Sequence, residues 1–564
     1  MARKTEFSIC LAGEAGQGLH SIETLLVQLL KNGGYHVFSA KEFMSRVRGG
    51  CNSTTLRISS QRVEALSGVV DLFVPLAAEA VRRYAHLLTP ATLVVGEEAI
   101  VKRAGMLDAP FSAIAAELGD KRSASMVATG GVAGLLGLDA EPLLGLIRAR
   151  FAAQAAALLD VNLRAAERGL ALGKALAAKS GLSFDLPADP ALAGEMVLDG
   201  SAAIALGAVA GGCDAIFAYP MSPGTGVLAE MAGLSKEVGI VVEQAEDEIA
   251  AINMALGANY AGARAMVTTS GGGFALMTEG VSLAGITETP VVIHLAQRPG
   301  PGTGLPTRTE QGDLNLALHA GHGVFPRAIF APGTLAQAFH LARRAFDLAD
   351  EFQIPVFLLT DQYLVDSSGN VPEFPLDGPD LRRHIVAADA SYRRYRLTDS
   401  GLSPRGVPSF GPGRVCVDSD EHDESGRITE DLDGISLQMK EKRFRKFEPV
   451  RHAVLPPDRF GPAEAELLFI AWGSTGPAAR EALGRLADPR AALLHFTQVW
   501  PLPRDAAARL GQAKKIVAIE NSQTATFADW LRLETGASFA PPILKYNGLP
   551  FSVAELEARM KEAR

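Results

Sequence analysis

Cysteine is scarce in this 564-residue chain: Cys10, Cys51, Cys213 and Cys416 lie far apart, with no C-x-x-C pair. Local spacing therefore builds neither a zinc site nor an iron–sulfur site. If electrons leave through a cluster, another chain has to hold it. Basic runs are lacking too. With a formal net charge of −9 and no Lys/Arg stripe interleaved with aromatics, which are only 6% of residues, the chain does not suit a phosphate backbone. No uninterrupted apolar segment nears the roughly 20 residues of a membrane span. At the N-terminus, "MARKTEFSICLAGEAGQG" carries basic residues before an apolar run, but that run stops at Gly13 and Glu14 and is too short for a signal peptide. It reads as a first β-strand, and the protein is expected to be soluble and cytoplasmic. Gly-Asp-Gly is also absent: Gly119-Asp120 and Gly312-Asp313 are both followed by other residues.

What is present is small and apolar. Hydrophobic residues make up 48% of the chain and glycine is abundant, a balance that suits layered α/β domains with helices lying close on sheets. The length predicts about three or four domains. "FSICLA", the turn "GEAGQG", the helix-period stretch "LHSIETLLVQLLKNGG" and "YHVFSA" make a strand–turn–helix–strand unit. A first domain is expected over 1–186, with a long Ala/Leu helical region at roughly 140–180 and a proline-bearing linker at 185–194. Strands and helices alternate again over 190–370, which predicts a mainly parallel sheet. Over 371–460 prolines, glycines and charge runs such as "MKEKRFRKFEP" predict an extended connecting arm. α/β order returns over 461–564.

Several motifs carry chemistry. In "GEAGQG", Gly13, Gly16 and Gly18 sit where backbone N–H groups and a helix N-terminus could receive a phosphate, though a tight turn accounts for them equally and Glu14 opposes an anion. Arg46 and Arg48 in "SRVRGGCNST" suit either an anionic ligand or inter-domain salt bridges. In "EDEIAAINMALGANYAGARAMVTTSGGG", Glu246, Asp247 and Glu248 lead into a small-residue helix, a strand and then Gly271–Gly273. Acids at that position either favour the helix N-terminus through its dipole or serve a ligand. "YPMSPGTG" runs from Tyr219 to Gly226, and "AQRPGPGTGLPTRTEQGDL" is a glycine/proline loop with Arg298 and Arg308. His322, between glycines in "GHGVFPR", is either catalytic or a turn residue. The acids of "DEHDESGRITED" do not follow the spacing of a calcium loop, and no metal is assigned to this chain.

The order acid, small-residue helix, strand and "TSGGG" resembles the pyrimidine-binding domain of thiamine diphosphate enzymes. "YPMSPGTG" and the loop that follows narrow the resemblance to the 2-oxoacid:ferredoxin oxidoreductase family, where Tyr-Pro-Ile-Thr-Pro is usual and Met221 and Ser222 stand here for Ile and Thr. The 1–186 region resembles the family's gamma component, fused ahead of an alpha component. "WGST", "QVWPLP" and the 420–431 segment resemble the 2-oxoglutarate branch. The resemblance implies an α/β multidomain chain: a gamma-type domain, a pyrimidine-binding-type domain, the arm and a transketolase C-terminal-like domain. It further implies that Glu248 is catalytic and meets N1′ of the cofactor's aminopyrimidine, promoting the imino tautomer that removes the thiazolium C2 proton. Tyr219 and Pro220 border the cofactor. Ser222 and Arg308 bind the 2-oxoacid, the guanidinium offering paired donors to a carboxylate. The missing Gly-Asp-Gly leaves the diphosphate and Mg²⁺ to a beta subunit, which also holds a [4Fe-4S] cluster; a dimer of alpha/beta pairs is expected. The implied reaction converts 2-oxoglutarate and CoA to succinyl-CoA, CO₂ and reduced ferredoxin. Another 2-oxoacid, a non-redox thiamine decarboxylase and a non-catalytic binding subunit stay open. A decarboxylase would need the missing diphosphate motif, and a binding subunit could dispense with Glu248 and Arg308.

Overall fold

A computed structural model of the chain describes residues 5–44, 49–376 and 381–564. Arg46 and Arg48 lie outside the described residues. The chain forms two compact units, the first ending at Leu198 and taking in Ser367–Glu373 and Ser552–Glu555.

The first unit is built on an eight-stranded mixed sheet. Its central strand, Glu6–Glu14, runs antiparallel to Cys51–Ser59 and parallel to Leu72–Pro75. The apolar run at the N-terminus is therefore a buried strand, as its composition predicts. Two helices rich in small residues, Ala124–Leu135 and Ala156–Ser180, cross at very short range. A Cβ at Gly130 or Gly169 would come within 2.1 Å of a carbonyl oxygen on the facing helix. The "GEAGQG" turn uses its glycines for backbone shape and close approach. Gly16 and Gly18 have φ of +93° and +78°, which glycine adopts freely, and a Cβ on Gly18 would meet that of Ser125 at 2.7 Å. In the stretch 185–194, Leu186 and Leu192 are buried and the strand Met196–Asp199 follows as the sheet edge, so these residues belong to the first unit's fold.

The second unit carries two sheets. Seven strands lie in the order Gln498–Trp500, Ala328–Phe330, Pro355–Asp361, Val291–Gln297, Ala265–Thr269, Ala215–Ala218 and Val241–Gln244. Only Gln498–Trp500 runs antiparallel to its neighbour; all other pairs are parallel, as the alternation of elements predicts. A five-stranded sheet, also mostly parallel, occupies the C-terminal region. One apolar core serves both, joining Val267, Phe274 and Ile293 to Trp472, Phe496 and Phe527. The segment between them has little regular structure up to the helices Ile435–Arg445 and Phe447–His452. It is not merely solvated, however: Tyr395, Arg394, Arg405, His422, Lys442 and Lys446 are all buried. Among the described residues no helix is long and apolar enough to cross a membrane.

Candidate active site

The parallel strands of the second unit end on one side in loops and helix starts, the usual place for a ligand in an open α/β sheet. Three acids precede the helix Glu248–Tyr260, and they divide the work. Asp247 is the cap, its Oδ1 accepting from Ala250 N at 2.7 Å. Glu246 is exposed. Glu248 turns inward and is only 3% exposed, so its charge does not serve the surface.

The Glu248 side chain ends against the start of the next helix, Gly271–Thr287. A Cβ on Gly273 would lie 2.4 Å from Glu248 Oε1 and 2.4 Å from Thr269 Oγ1, so only glycine leaves room for the carboxylate. A Cβ on Gly271 would similarly lie 2.5 Å from both carboxylate oxygens of Asp313. The second and fourth residues of "SGGG" are thus open because two acids press on them, one from each side.

Polar groups here lack partners. Glu248 Oε1, Ser270 Oγ, Asp313 Oδ2 and Arg298 Nε are all buried without a hydrogen bond. Such atoms are uncommon in folded proteins. Their gathering around one helix start points to a ligand that satisfies them, and a carboxylate oxygen facing inward suits a ring N–H such as a protonated aminopyrimidine offers.

The "YPMSPG" turn is tied to the same place. Arg298 Nη1 donates to Ser222 O at 2.6 Å. Below the turn, Thr268 Oγ1 donates to Gly224 O at 3.0 Å. That leaves Thr268 Oγ1 to accept from His294 Nδ1 at 2.8 Å, and His294 Nε2 then accepts from Thr360 Oγ1 at 2.8 Å. Burial pushes the His294 ring down to about 3, so it stays neutral and its tautomer is fixed by these neighbours. Tyr219 is 41% exposed and Pro220 half-buried beside it.

Arg308 lies elsewhere on the loop. Its backbone N–H donates to Leu305 O at 3.0 Å, and the stem of its side chain packs on Gly548, where an added Cβ would meet Arg308 Cβ at 3.0 Å. His322 is exposed and lines a groove with Glu279, Ser282 and Leu283, at the other end of the Gly271–Thr287 helix from Glu248. The geometry thus brings Glu248, Ser222 and Arg298 around one sheet end. It adds Asp313, to which the sequence motif drew attention only as part of an incomplete Gly-Asp-Gly.

Two family models match the chain. One, described as pyruvate flavodoxin/ferredoxin oxidoreductase, thiamine diphosphate-binding, covers residues 206–441. The other, pyruvate ferredoxin/flavodoxin oxidoreductase, covers residues 8–172. The 2-oxoacid:ferredoxin oxidoreductase subunit alpha of a Sulfolobus species is 30% identical over 621 aligned positions, spanning 97% of this chain and 95% of the relative. The 2-oxoglutarate synthase subunit KorA of Archaeoglobus fulgidus is 33% identical over 325 positions, 57% of this chain and 86% of that one. Among solved structures, a 2-oxoglutarate:ferredoxin oxidoreductase from Magnetococcus marinus, with 2-oxoglutarate, coenzyme A and succinyl-CoA bound, is similar over 99% of this chain and 100% of its own. The TM-score is 0.91 and the identity 30%.

Proposed function

The chain belongs to the 2-oxoacid:ferredoxin oxidoreductase family, and from that premise we propose that it is a fused gamma/alpha subunit acting on 2-oxoglutarate. In this reading it pairs with a beta subunit that holds the Mg²⁺–diphosphate end of thiamine diphosphate and a [4Fe-4S] cluster. Together they convert 2-oxoglutarate and CoA to succinyl-CoA, CO₂ and reduced ferredoxin. The relatives named for 2-oxoglutarate and the solved neighbour with that substrate bound support the choice of 2-oxoacid.

The carrying observation is the buried, unpartnered Glu248 Oε1 set against Gly273. Thiamine diphosphate, when bound, supplies a nucleophilic carbon for the keto group and a sink for the electron pair left by CO₂. Glu248 accepts the hydrogen bond of the pyrimidine N1′–H and stabilises the proton there, a charge-assisted contact of about 1.5–3 kcal/mol. Tyr219 and Pro220 border the ring. Ser222 positions the substrate's keto and carboxylate end. Arg298, already on Ser222 O with its Nε still free of a partner, is the guanidinium best set to take the reacting carboxylate. Arg308, expected for that task from the motif, sits further along the same loop and is kept as the competing donor.

Glu248→Gln tests the reading. Folding and assembly with the beta subunit should survive, because Asp247 and not Glu248 caps the helix. Turnover and deuterium exchange at thiazolium C2 should fall about 100-fold or more, the size of an acid–base contribution. Exchange at the wild-type rate in the assembled variant would defeat the assignment.

A further inference from the structure

Asp313 is held from the sheet side and pressed from the helix side. Its backbone N–H donates to Gln297 Oε1 at 3.0 Å, and the Gln297 amide nitrogen donates to Thr360 O at 3.1 Å. The carboxylate lies flat on Gly271, and its Oδ2 is buried with no partner. The charged groups facing it are Glu310, which opposes its ionisation, and Arg298, which favours it; Glu248 reaches the same helix start at Gly273. Burial first, then Glu310, push the Asp313 carboxyl up to about 6 against the pull of Arg298. Burial in turn lowers the Arg298 guanidinium, and Asp313 counters it.

One guanidinium therefore stands among acids before any substrate arrives. A 2-oxoacid brings a further carboxylate, and two carboxylates sharing one small buried site cannot both stay ionised without raising a pKa. We propose that Asp313 is a proton-linked positioning residue for the anionic substrate: ionised and facing Arg298 when the site is empty, it takes up a proton from solvent when the 2-oxoacid carboxylate settles on Arg298. The neutral acid then has an O–H to donate to a substrate oxygen, which satisfies the orphaned Oδ2. Only an O–H bond is made, and the proton returns to solvent when substrate leaves. The inference rests on Arg298, not Arg308, holding the reacting carboxylate.

The test uses the complex with its beta subunit and 2-oxoglutarate, whose own carboxylates do not titrate in the window studied. Uptake of one proton on binding makes KM rise about tenfold per pH unit between pH 6.5 and 8.5, with kcat much less affected. Asp313→Asn should flatten that slope. A flat wild-type KM, which needs no variant to observe, or an unchanged slope in Asp313→Asn overturns the proposal. Arg298→Lys separates it from its premise. If that variant binds 2-oxoglutarate as the wild type does, the reading of Arg298 falls; if it binds poorly while Asp313→Asn keeps the wild-type slope, only the role of Asp313 falls. A second readout needs no turnover: without substrate, the thermal midpoint of Asp313→Asn should climb above wild type as pH rises from 4 to 6 and stay above it thereafter. Parallel midpoints would show that the folded chain holds the Asp313 proton no more tightly than the unfolded chain does, which also overturns the proposal.

Discussion

At the residue scale, function and stability pull against each other at Asp313. Its carboxyl sits at about 6 in the folded chain against an ordinary 3.8, so the folded state holds its proton more tightly than the unfolded state does. Stability from this group is therefore full below pH 3.8 and lost as pH rises towards 6. The isosteric Asp313→Asn escapes the loss, and at pH 7 it should stabilise the protein by at most about 3 kcal/mol, read as a shift in urea midpoint without change of slope. An acid kept at that expense is expected where activity needs it. The two arginines of the loop invite a parallel measurement. If Arg298 carries the carboxylate, Arg298→Lys should raise KM for 2-oxoglutarate by a contact's worth, about 1.5–3 kcal/mol, since an ammonium cannot reproduce the paired donors. Arg308→Lys should then change KM little, because the packing of its stem on Gly548 survives. The reverse order would return the role to Arg308. The surroundings of Glu248 are legible in the sequence because they are local: a small-residue helix, a strand and three glycines in one run. The choice between Arg298 and Arg308 is not, because it depends on Ser222, a residue remote in sequence that reaches the loop only through the fold. Asp313 was hidden for the same reason, its environment being made by Gly271 and Gln297.

At the scale of elements, the arm shows how a charge run can mislead. "MKEKRFRKFEP" reads as part of an extended connecting arm, yet Lys442 and Lys446 lie in the interior and donate to the two carboxylate oxygens of Glu288 at 2.6 and 3.0 Å. Glu288 ends the helix that begins at Gly271, in the left-handed region at φ +49°. The same corner receives Arg394, which donates to Glu288 O at 2.6 Å and to Gln353 Oε1 at 2.8 Å. Burial raises the Glu288 carboxyl, but the charges of Lys442, Lys446 and Arg394 outweigh it and hold the group far below the usual carboxylate range. A depressed carboxyl contributes stability that is present above its ordinary 4.5 and is lost as pH falls below it. Glu288→Gln leaves two buried ammonium groups beside a guanidinium, and breaking a buried pair from one side costs about 3–5 kcal/mol. Its denaturation midpoint should drop accordingly at pH 7 and the difference should narrow in acid. An unchanged midpoint would mean that the arm is anchored elsewhere. The sheet itself was easier to read than the arm, since alternating strands and helices impose parallel pairing whatever the loops do. Partner choice between a distant Glu and Lys leaves no periodic trace.

At the scale of the whole molecule, the site is open on one side. Apolar side chains stand exposed on the two helices that frame Glu248: Ile249 at 48% and Met254 at 42% on one, Leu276 at 51% on the other. The chemistry proposed for Glu248 depends on keeping water from the cofactor beside it. A partner that covers these helices would dry the site and, on the reading proposed above, bring the diphosphate half of the cofactor site. On the same reading, electron transfer depends on the partner as well. Cys10, Cys51 and Cys213 are buried, and among the described residues no cluster of three or more metal-ligating side chains includes a cysteine. Cys416 is exposed but stands apart from the others in sequence, within the arm. The chain purified by itself should therefore be colourless, free of stoichiometric iron and acid-labile sulfide, and inactive in reducing ferredoxin. Reconstitution with the beta subunit should restore turnover and bring visible absorption with it, and should also shield the helices Glu248–Tyr260 and Gly271–Thr287 from hydrogen exchange. Stoichiometric iron in the lone chain would overturn this division of labour. Activity that returns with no added protection of those two helices would keep the partner but move its docking face.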